Sequence, residues 1–221
     1  VISGADYHHS ESLLEQKYRA YSEQYWDKKT FAPSSLLFFV GIDKKLKNVS
    51  HHTLFFDVDF DVHAADIYDN PKWPESPLFY GNFPSMTDAS MAPEGKEACF
   101  LLIPIAPGLE DTPEMRKKYF DIVIDRLEHL TDQSVRDAIL FHESFCVNDF
   151  VEEYNSYKGN AYGLANTLFQ TAFLRPKIMS KKVKNLYFTG QLTVPGPGVP
   201  PALISGKIVS DLIMKKLILL K

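Results

Sequence analysis

Apolar residues occur along the chain in short runs separated by polar segments rich in proline and glycine. Runs of this length and composition are typical of buried strands. They lie at 1–6, 34–41, 52–58, 77–85, 97–105, 138–147 and 183–190. We expect 34–41 and 52–58 to form a hairpin across the polar connection DKKLKNVSH.

Apolar residues at helical spacing predict helices between and after these strands. They lie at 10–26, 59–69, 113–130, 148–157 and 202–221. The helix at 113–130 is the clearest, because Pro113 suits a first turn and an apolar stripe follows it. Ser10 is the predicted N-cap of the first helix, and Asn148 or Asp149 that of the fourth.

The order of these elements predicts an α+β fold. Strict strand–helix–strand alternation is missing, and several connections between strands have hairpin length. We therefore expect a mixed, largely antiparallel sheet with helices packed against it. The stretch 183–221 differs, because a strand there leads through a glycine- and proline-rich loop directly into a helix.

Composition restricts the function only broadly. The 221 residues are 45% hydrophobic and 24% charged, as in a globular domain, and the net charge of -4 argues against nucleic-acid binding. No apolar stretch reaches the roughly 20 residues of a membrane-spanning helix. The 16 Phe and 11 Tyr suit either a thick core or a pocket for a long apolar ligand. Cys99 and Cys146 lack metal-binding spacing, and we expect reduced thiols in a cytoplasmic protein.

The loop at 190–201 carries the strongest chemical signal. Gly190 lets the strand turn, and Gly196 and Gly198 permit close backbone approach to a ligand. Pro200 and Pro201 suit the first turn of the following helix, whose positive end would favour an anion or the electron-rich edge of a cofactor. From these residues alone, a strand–loop–helix connection without a ligand is an equally good interpretation.

Five motifs occur in a fixed order along almost the whole chain. They are SHHTLFF at 50–56, TDASMAPEGKEACFLLIPI at 87–105, DFVEEYNSYKGNAYG at 149–163, GLANTLFQTAFLRP at 163–176 and NLYFTGQLTVPGPGVPPALISGK at 185–207. Each resembles a motif of the bacterial-type phytoene desaturases, which are FAD-dependent carotenoid oxidoreductases. Because several separated motifs agree, the resemblance is specific.

The resemblance implies a two-domain flavoprotein of which this chain is the C-terminal part. Residues 1–30 and 159–221 would belong to a Rossmann-like FAD-binding domain. Residues 31–158 would form a substrate-binding domain with a tunnel for a long apolar polyene.

The resemblance also implies which residues contact FAD. They are Gly190, Gln191, Gly196, Gly198, Val199 and Pro200. Gly190 and Gln191 would lie near the ribityl and pyrophosphate groups, with Val199 and Pro200 under the flavin ring. Relatives often have Ala or Asp where this chain has Gln191, but an amide can still donate to a phosphate or ribityl oxygen.

Two parts of such an FAD site are absent from the sequence. It contains no G-x-G-x-x-G after a strand, and no acidic residue about 20 positions beyond one. The chain also starts at Val1, with neither Met nor a signal peptide. We therefore expect a fragment that binds FAD weakly or not at all and is inactive alone.

Other reactive side chains gain no assigned role, and no catalytic residue or metal ligand is predicted. Adjacent strand residues point to opposite faces, so we expect His51 and His52 not to share a metal ion. Arg175 either anchors a loop or contacts the cofactor. Loop carboxylates are usually solvated or capping groups, and here they are Asp88, Glu94, Asp149 and Glu152.

The final helix has basic and apolar faces. Its apolar residues are Leu212, Ile213, Leu217, Leu219 and Leu220, and its basic residues are Lys207, Lys215, Lys216 and Lys221. Such a helix either packs within the FAD domain or lies on an anionic membrane surface. We expect a cytoplasmic protein or one peripheral on the inner face of the membrane.

The predicted activity of the full-length parent is desaturation of phytoene or a related carotenoid. Other flavin carotenoid or retinoid oxidoreductases, such as an isomerase, saturase or oxidase, remain alternatives. A non-catalytic module that binds apolar ligands is an alternative of a different class.

Overall fold

The computed structural model describes residues 1–219. Leu220 and Lys221, which the sequence assigns to the last helix, lie outside the described residues. The chain divides into two compact units. We call Val1–Pro33 together with the chain from Asp149 onward the terminal unit, and Ser34–Asn148 the sheet unit. The sequence placed the corresponding divisions after residues 30 and 158.

Strands and helices alternate irregularly along the chain. The strands are β1 (Ile2–Ser3), β2 (Ser34–Ile42), β3 (His52–Phe55), β4 (Phe79–Asn82), β5 (Glu97–Ile105), β6 (Ile139–Phe145) and β7 (Tyr187–Phe188). The helices are α1 (Tyr7–Ser12), α2 (Glu23–Asp27), α3 (Phe60–Tyr68), α4 (Pro113–Thr131), α5 (Val147–Tyr154) and α6 (Val199–Ile218). Seven short 3-10 turns lie between them in the described part of the chain.

The sheet unit contains a five-stranded sheet in the order β3-β4-β5-β2-β6. Every neighbouring pair of strands in it is antiparallel. The predicted α+β class with an antiparallel sheet is thereby confirmed.

The predicted hairpin between 34–41 and 52–58 is wrong. β2 pairs with β5 along its full length, from Ser34 opposite Ile105 to Ile42 opposite Glu97, while β3 pairs with β4. Nine-residue strands of matching apolar pattern form a longer ladder than the four-residue β3 could offer. β2 therefore pairs with β5, which is distant in the sequence, and not with β3, which follows it directly.

One face of the sheet carries the main core of this unit. Leu36, Phe38 and Val40 of β2 and Leu101 and Ile103 of β5 are buried there. They pack with the apolar side of α4, which contributes Tyr119, Phe120, Val123, Ile124 and Leu127. Burial of each such side chain contributes about 1.5–3 kcal/mol, so this contact dominates the stability of the unit.

Helix α4 begins and ends where its sequence indicates. The Thr112 hydroxyl accepts a hydrogen bond from the Met115 amide at 3.2 Å, and Pro113 occupies the first turn as predicted. The helix ends at Asp132, which adopts a left-handed conformation with φ of 52°. Asp and Asn tolerate this conformation better than most residues.

The other face of the sheet is apolar but is not covered by a helix of the sheet unit. Alternate residues of β2, β3, β5 and β6 point to it, and two of them, Leu54 on β3 and Phe141 on β6, are each 61% exposed. We call this surface the open sheet face; it consists of Leu37, Phe39, Leu54, Phe100, Leu102 and Phe141. Large exposed apolar patches usually mark binding surfaces.

The terminal unit contains a second, two-stranded sheet. β1 and β7 pair in parallel, with Ile2 opposite Tyr187 and Ser3 opposite Phe188. The Tyr7 ring stacks on Phe188 with 3.7 Å between centroids. Both rings belong to a buried cluster that includes Trp26, Phe31, Leu164, Leu186 and Leu192.

The single helix predicted at 10–26 is wrong. The segment forms α1, a 3-10 turn and α2, and the N-caps are Asp6 and Ser22 rather than Ser10. The buried carboxylate of Glu11 accepts hydrogen bonds from the Ala20 amide at 2.8 Å and the Tyr21 amide at 3.1 Å. These bonds fold the segment back on itself, which a continuous helix would prevent.

A buried ion pair in the sheet unit gives a stability prediction. The Asp111 carboxylate accepts from Arg116 Nε at 2.7 Å, from Arg116 Nη2 at 2.6 Å and from the Asn148 amide at 2.9 Å. Burial alone would raise the pKa of Asp111, but the bonds from Arg116 and Asn148 outweigh it and lower the pKa. We expect Asp111→Asn to reduce the free energy of unfolding by about 2–3 kcal/mol at neutral pH, measured by urea denaturation.

The pH dependence of this effect has a definite sign. Because the folded pKa of Asp111 is lowered, the unfolded state binds more protons, and the stabilisation declines as pH falls from about 4 through the folded pKa. Asp121→Asn is the control, since Asp121 forms exposed pairs with Lys117 and Arg136 and should cost less than about 1 kcal/mol. Equal losses for the two variants would contradict this account.

Candidate functional site

A cavity of about 550 Å³ lies in the terminal unit at the carboxyl ends of β1 and β7. Residues 4–6 follow β1 and residues 189–191 follow β7, and both segments line the cavity. Ligands of parallel sheets commonly bind outside the carboxyl ends of the strands, and this volume falls within the usual range for ligand pockets. The geometry therefore favours a binding site here.

Helix α6 begins at the wall of this cavity. Gly198 is its N-cap, with φ of 108° and no side-chain capping bond, and Val199 is its first residue. Pro200 and Pro201 follow, so Val199 supplies the one amide N–H of the first three helical positions. Val199 is 75% exposed, and its amide lies at the positive end of a 20-residue helix.

The turn at Gly190 is tied to this helix. The Gly190 amide donates to Ser205 Oγ at 2.8 Å, and the Ser205 hydroxyl donates to the Ala202 carbonyl at 2.6 Å. The Gly190 carbonyl accepts from the Thr193 amide at 3.1 Å. Gly190 has φ of 98°, and a Cβ there would meet no atom within 4 Å. Glycine is thus required by the backbone, and the space beside it is open.

Arg175 supports the loop from its buried side. It is 2% exposed and donates to the carbonyls of Leu164 at 2.9 Å and Gln191 at 3.2 Å, and to Asn166 Oδ1 at 2.6 Å. Desolvation lowers the pKa of its guanidinium. Of the two roles considered for Arg175, these contacts support loop anchoring.

Gly196 packs against Arg175. A Cβ at Gly196 would lie 3.0 Å from Arg175 Nη2, and its φ is 136°. Gly196 and Pro200 are not among the residues that line the cavity, whereas Gly190, Gln191, Gly198 and Val199 are. The cavity thus brings together four of the six residues that the resemblance implied.

Sequence reasoning missed other residues of the cavity. Asp6 lines it and is already engaged, because its carboxylate accepts from the amides of His9 and Tyr157, each at 3.2 Å. Aromatic side chains also contribute to the lining, namely Phe150, Tyr154 and Tyr162. The turn signal at Gly4 pointed to the first segment. Phe150 and Tyr154 lie four residues apart on α5, a spacing that places both on one face of the helix, whereas Tyr162 lies in an irregular segment.

The expectation that His51 and His52 point to opposite faces is wrong. Their ring centroids lie 4.3 Å apart, because β3 begins at His52 and His51 precedes the ladder. The two Nδ1 atoms have different partners, Thr87 Oγ1 and Tyr80 OH, each at 2.6 Å. Residues 1–219 contain no group of three or more His, Cys, Asp or Glu side chains that could hold a metal ion.

Comparison with known proteins identifies relatives along nearly the whole chain. A carotenoid 3,4-desaturase of Haloarcula japonica is 45% identical over 216 residues, which are 97% of this chain. A zeta-carotene-forming phytoene desaturase of Myxococcus xanthus is 32% identical over 222 residues. Over 97% of its length the chain is similar to carotenoid desaturases. The resemblance inferred from the separated motifs is thus confirmed.

The chain spans less than half the length of these carotenoid desaturases, with 44% of the Haloarcula protein and 42% of the Myxococcus protein covered. No protein-family model matches it. An oxidoreductase from Methanosarcina mazei has a similar structure, with a TM-score of 0.55 at 12% identity over 96% of this chain and 42% of that one. This likeness concerns the fold alone.

A helix that crosses a membrane must be both long and apolar. Within residues 1–219, the helices are too short or too polar to cross a membrane.

The contact between Gly196 and Arg175 gives a testable prediction. Gly196→Ala and Gly190→Ala each place Cβ on a residue with positive φ, which should cost about 1–2 kcal/mol of stability. Gly196→Ala should cost about 1–3 kcal/mol more, since buried Arg175 has three acceptors holding it in place. Urea denaturation of the two variants measures the difference. Equal free energies of unfolding for Gly196→Ala and Gly190→Ala would mean that the Arg175 side chain moves aside without cost, and would contradict this account.

Proposed function

We propose that this chain is the C-terminal part of an FAD-dependent carotenoid desaturase. The terminal unit would form one wall of the FAD site, as a remnant of a Rossmann-like domain, and the sheet unit would bind the polyene substrate. The observation that supports this most is the α6 N-terminus at a cavity beside two parallel strand ends, in a chain 45% identical to a carotenoid desaturase.

The residues of the cavity fit a flavin cofactor. Gly190 and Gly198 both have positive φ, and the space beside Gly190 is open, since a Cβ there would meet no atom within 4 Å. The Val199 amide is available to the flavin carbonyl edge, and the Gln191 side chain to the ribityl or phosphate oxygens. The helix end would stabilise negative charge on the ring by about 0.3–1 kcal/mol, or up to about 2 if partly buried.

FAD, when bound, would supply the redox chemistry as the two-electron acceptor for removal of two hydrogens from a C–C pair of the substrate. The chain's own residues would hold and orient the cofactor. Gly196 and Pro200 contribute indirectly, Gly196 through Arg175 and Pro200 through the first turn of α6. No residue is assigned as an acid or base.

The sheet unit offers a surface suited to a polyene. A second cavity, of about 440 Å³, lies on the open sheet face and is lined by Phe39, Phe100, Leu140 and Phe141 among others. Gly41 makes room for the Phe141 ring, since a Cβ there would approach it to 2.3 Å. Aromatic and aliphatic walls of this kind bind apolar chains and exclude water.

Two further features belong to the proposal. We place the protein in the cytoplasm or at the inner membrane surface, since the later turns of α6 expose Leu212, Leu217 and Ile218 beside Lys215 and Lys216.

The second candidate for the activity is another carotenoid oxidation, because a 4,4'-diapolycopen-4-al dehydrogenase of Metabacillus indicus is 29% identical over 84% of this chain.

A chimera tests the proposed function. The chain would replace its 216-residue counterpart in the Haloarcula japonica desaturase, and the purified chimera would be incubated with FAD and desalted. We expect flavin absorbance near one equivalent, and conversion of an acyclic carotenoid accepted by the parent to a product absorbing at longer wavelength. A chimera that folds and retains flavin but forms no product would contradict desaturation.

Matched glycine variants test the cofactor site within this chimera. Gly198→Ala strains the N-cap of α6 and should weaken FAD affinity about tenfold, equivalent to about 1.4 kcal/mol. Gly206→Ala is the control, because it lies in the same helix and its Cβ would meet no atom within 4 Å. Equal FAD affinity in both variants would argue against flavin contact at Gly198.

A further inference from the structure

The antiparallel ladder between β4 and β5 stops before the end of β5. Its pairing sets Tyr80 opposite Leu102, and the same register continued by two residues would set Leu78 opposite Pro104. Pro104 has no N–H, so one direct backbone bond would remain possible there, from the Leu78 amide to the Pro104 carbonyl.

The imidazole of His63 occupies the position of that bond. The Leu78 amide donates to His63 Nδ1 at 3.0 Å, and His63 Nε2 donates to the Pro104 carbonyl at 2.8 Å. His63 belongs to α3 and is 4% exposed, and Leu78 is 3% exposed. A buried side chain of a helix therefore connects the two strand ends, and we call this arrangement the His63 bridge.

The bridge exists only while the ring is neutral. A backbone amide can only donate and a carbonyl can only accept, so Nε2 carries the proton and Nδ1 accepts. A second proton, on Nδ1, would set two N–H groups against each other. The buried Leu78 amide would then lose its acceptor.

Charged groups surround the ring. Those that line a cavity of about 270 Å³ together with His63 are Asp59, Asp66, Lys72 and Glu75. Asp66 favours the protonated ring but pairs with Lys72 at 3.4 Å. Arg126 of α4, which pairs with Asp57, disfavours it. Burial has the largest effect, and the pKa of His63 is lowered.

We propose that the His63 bridge is a pH-sensitive switch at the edge of the five-stranded sheet. When the ring takes up a proton from solvent, the bond from the Leu78 amide breaks, and β4 loosens from β5. β3 lies at the edge of the sheet and pairs with β4, so it moves with β4. Leu54 of the open sheet face belongs to β3, so acid changes this face. The inference does not depend on the proposed function.

The sign of the pH dependence follows from the pKa of His63. In the bridge this pKa is lowered, whereas in an opened and solvated state it is about 6.5. Opening therefore takes up a proton below about pH 6.5, and the opening equilibrium constant rises by up to about tenfold per pH unit as the pH falls. The rise ends at the pKa of the bridged ring, below which both states are protonated.

Hydrogen exchange of the full chain, followed by NMR between about pH 5 and pH 8, tests the switch. The measured quantity is the protection factor of the Leu78 amide, which removes the pH dependence of the free-peptide rate. We expect it to fall by up to about tenfold per pH unit below about pH 6.5. The Asp43 amide, which donates to the Ala138 carbonyl at 2.7 Å, should show no such slope.

His63→Gln is the test variant, because an amide offers an acceptor and a donor but does not titrate. Its Leu78 protection should not vary with pH. His129→Gln is the matched control, since His129 is exposed in the last turn of α4, and it should retain the wild-type slope.

The pKa of His63, read from its ring resonances in the wild type, needs no variant and gives a second check. It should lie below the ordinary value and coincide with the pH at which the Leu78 slope ends. A flat wild-type profile, a slope that persists in His63→Gln, or a mismatch with this pKa would overturn the switch. An equal slope at Asp43 would mean that acid loosens the whole unit, and would overturn it as well.

Discussion

The parallel pairing of β1 with β7 is the contact on which the terminal unit depends. The Tyr187 amide donates to the Val1 carbonyl at 3.0 Å, and the Thr189 amide donates to the Ser3 carbonyl at 2.9 Å. Two residues per strand give few hydrogen bonds to offset the entropy of closing so long a loop. Aromatic packing supplies the rest of the stabilising free energy, since Tyr7 stacks on Phe188 in a buried cluster.

This pairing determines what the cavity can do chemically. It places the turn after β1 beside the turn after β7, and α6 then begins at the same cavity. The two prolines of the first turn leave the Val199 amide as its single donor, which directs the helix end to one polar atom. Arg175 donates a hydrogen bond to the Gln191 carbonyl from the buried side of the loop. This bond fixes the loop backbone where a cofactor would need precise contact.

The two faces of the sheet in the sheet unit differ in burial. Residues of β5, and those of β2 from Leu36 onward, alternate between a set buried against α4 and a set that forms part of the open sheet face. An apolar second face would be a liability in a purely structural sheet. The proposed binding of an apolar ligand to this face would account for its composition.

Local sequence predicted the elements whose own residues suffice to form them. The run at 97–105 and the helix from Pro113 were found because apolar pattern and capping agree. The break within 10–26 was missed, since it depends on Glu11 reaching the amides of Ala20 and Tyr21.

Long-range features were harder to predict. The pairing of β3 with β4 depends on the competition among distant strands for β2. The glycine loop at the site was predictable because its composition is unusual. Its meeting with residues 4–6 was not, because parallel pairing leaves no short-range signal.

Hydrogen exchange at the Tyr187 and Thr189 amides tests the central claim most directly. Both amides donate to residues of β1, so we expect them to exchange far more slowly than free peptide amides, and to lose this protection when residues 1–6 are removed. Protection that survives the deletion, or exchange at the rate of a free peptide in the intact chain, would contradict a site built on the pairing of β1 with β7.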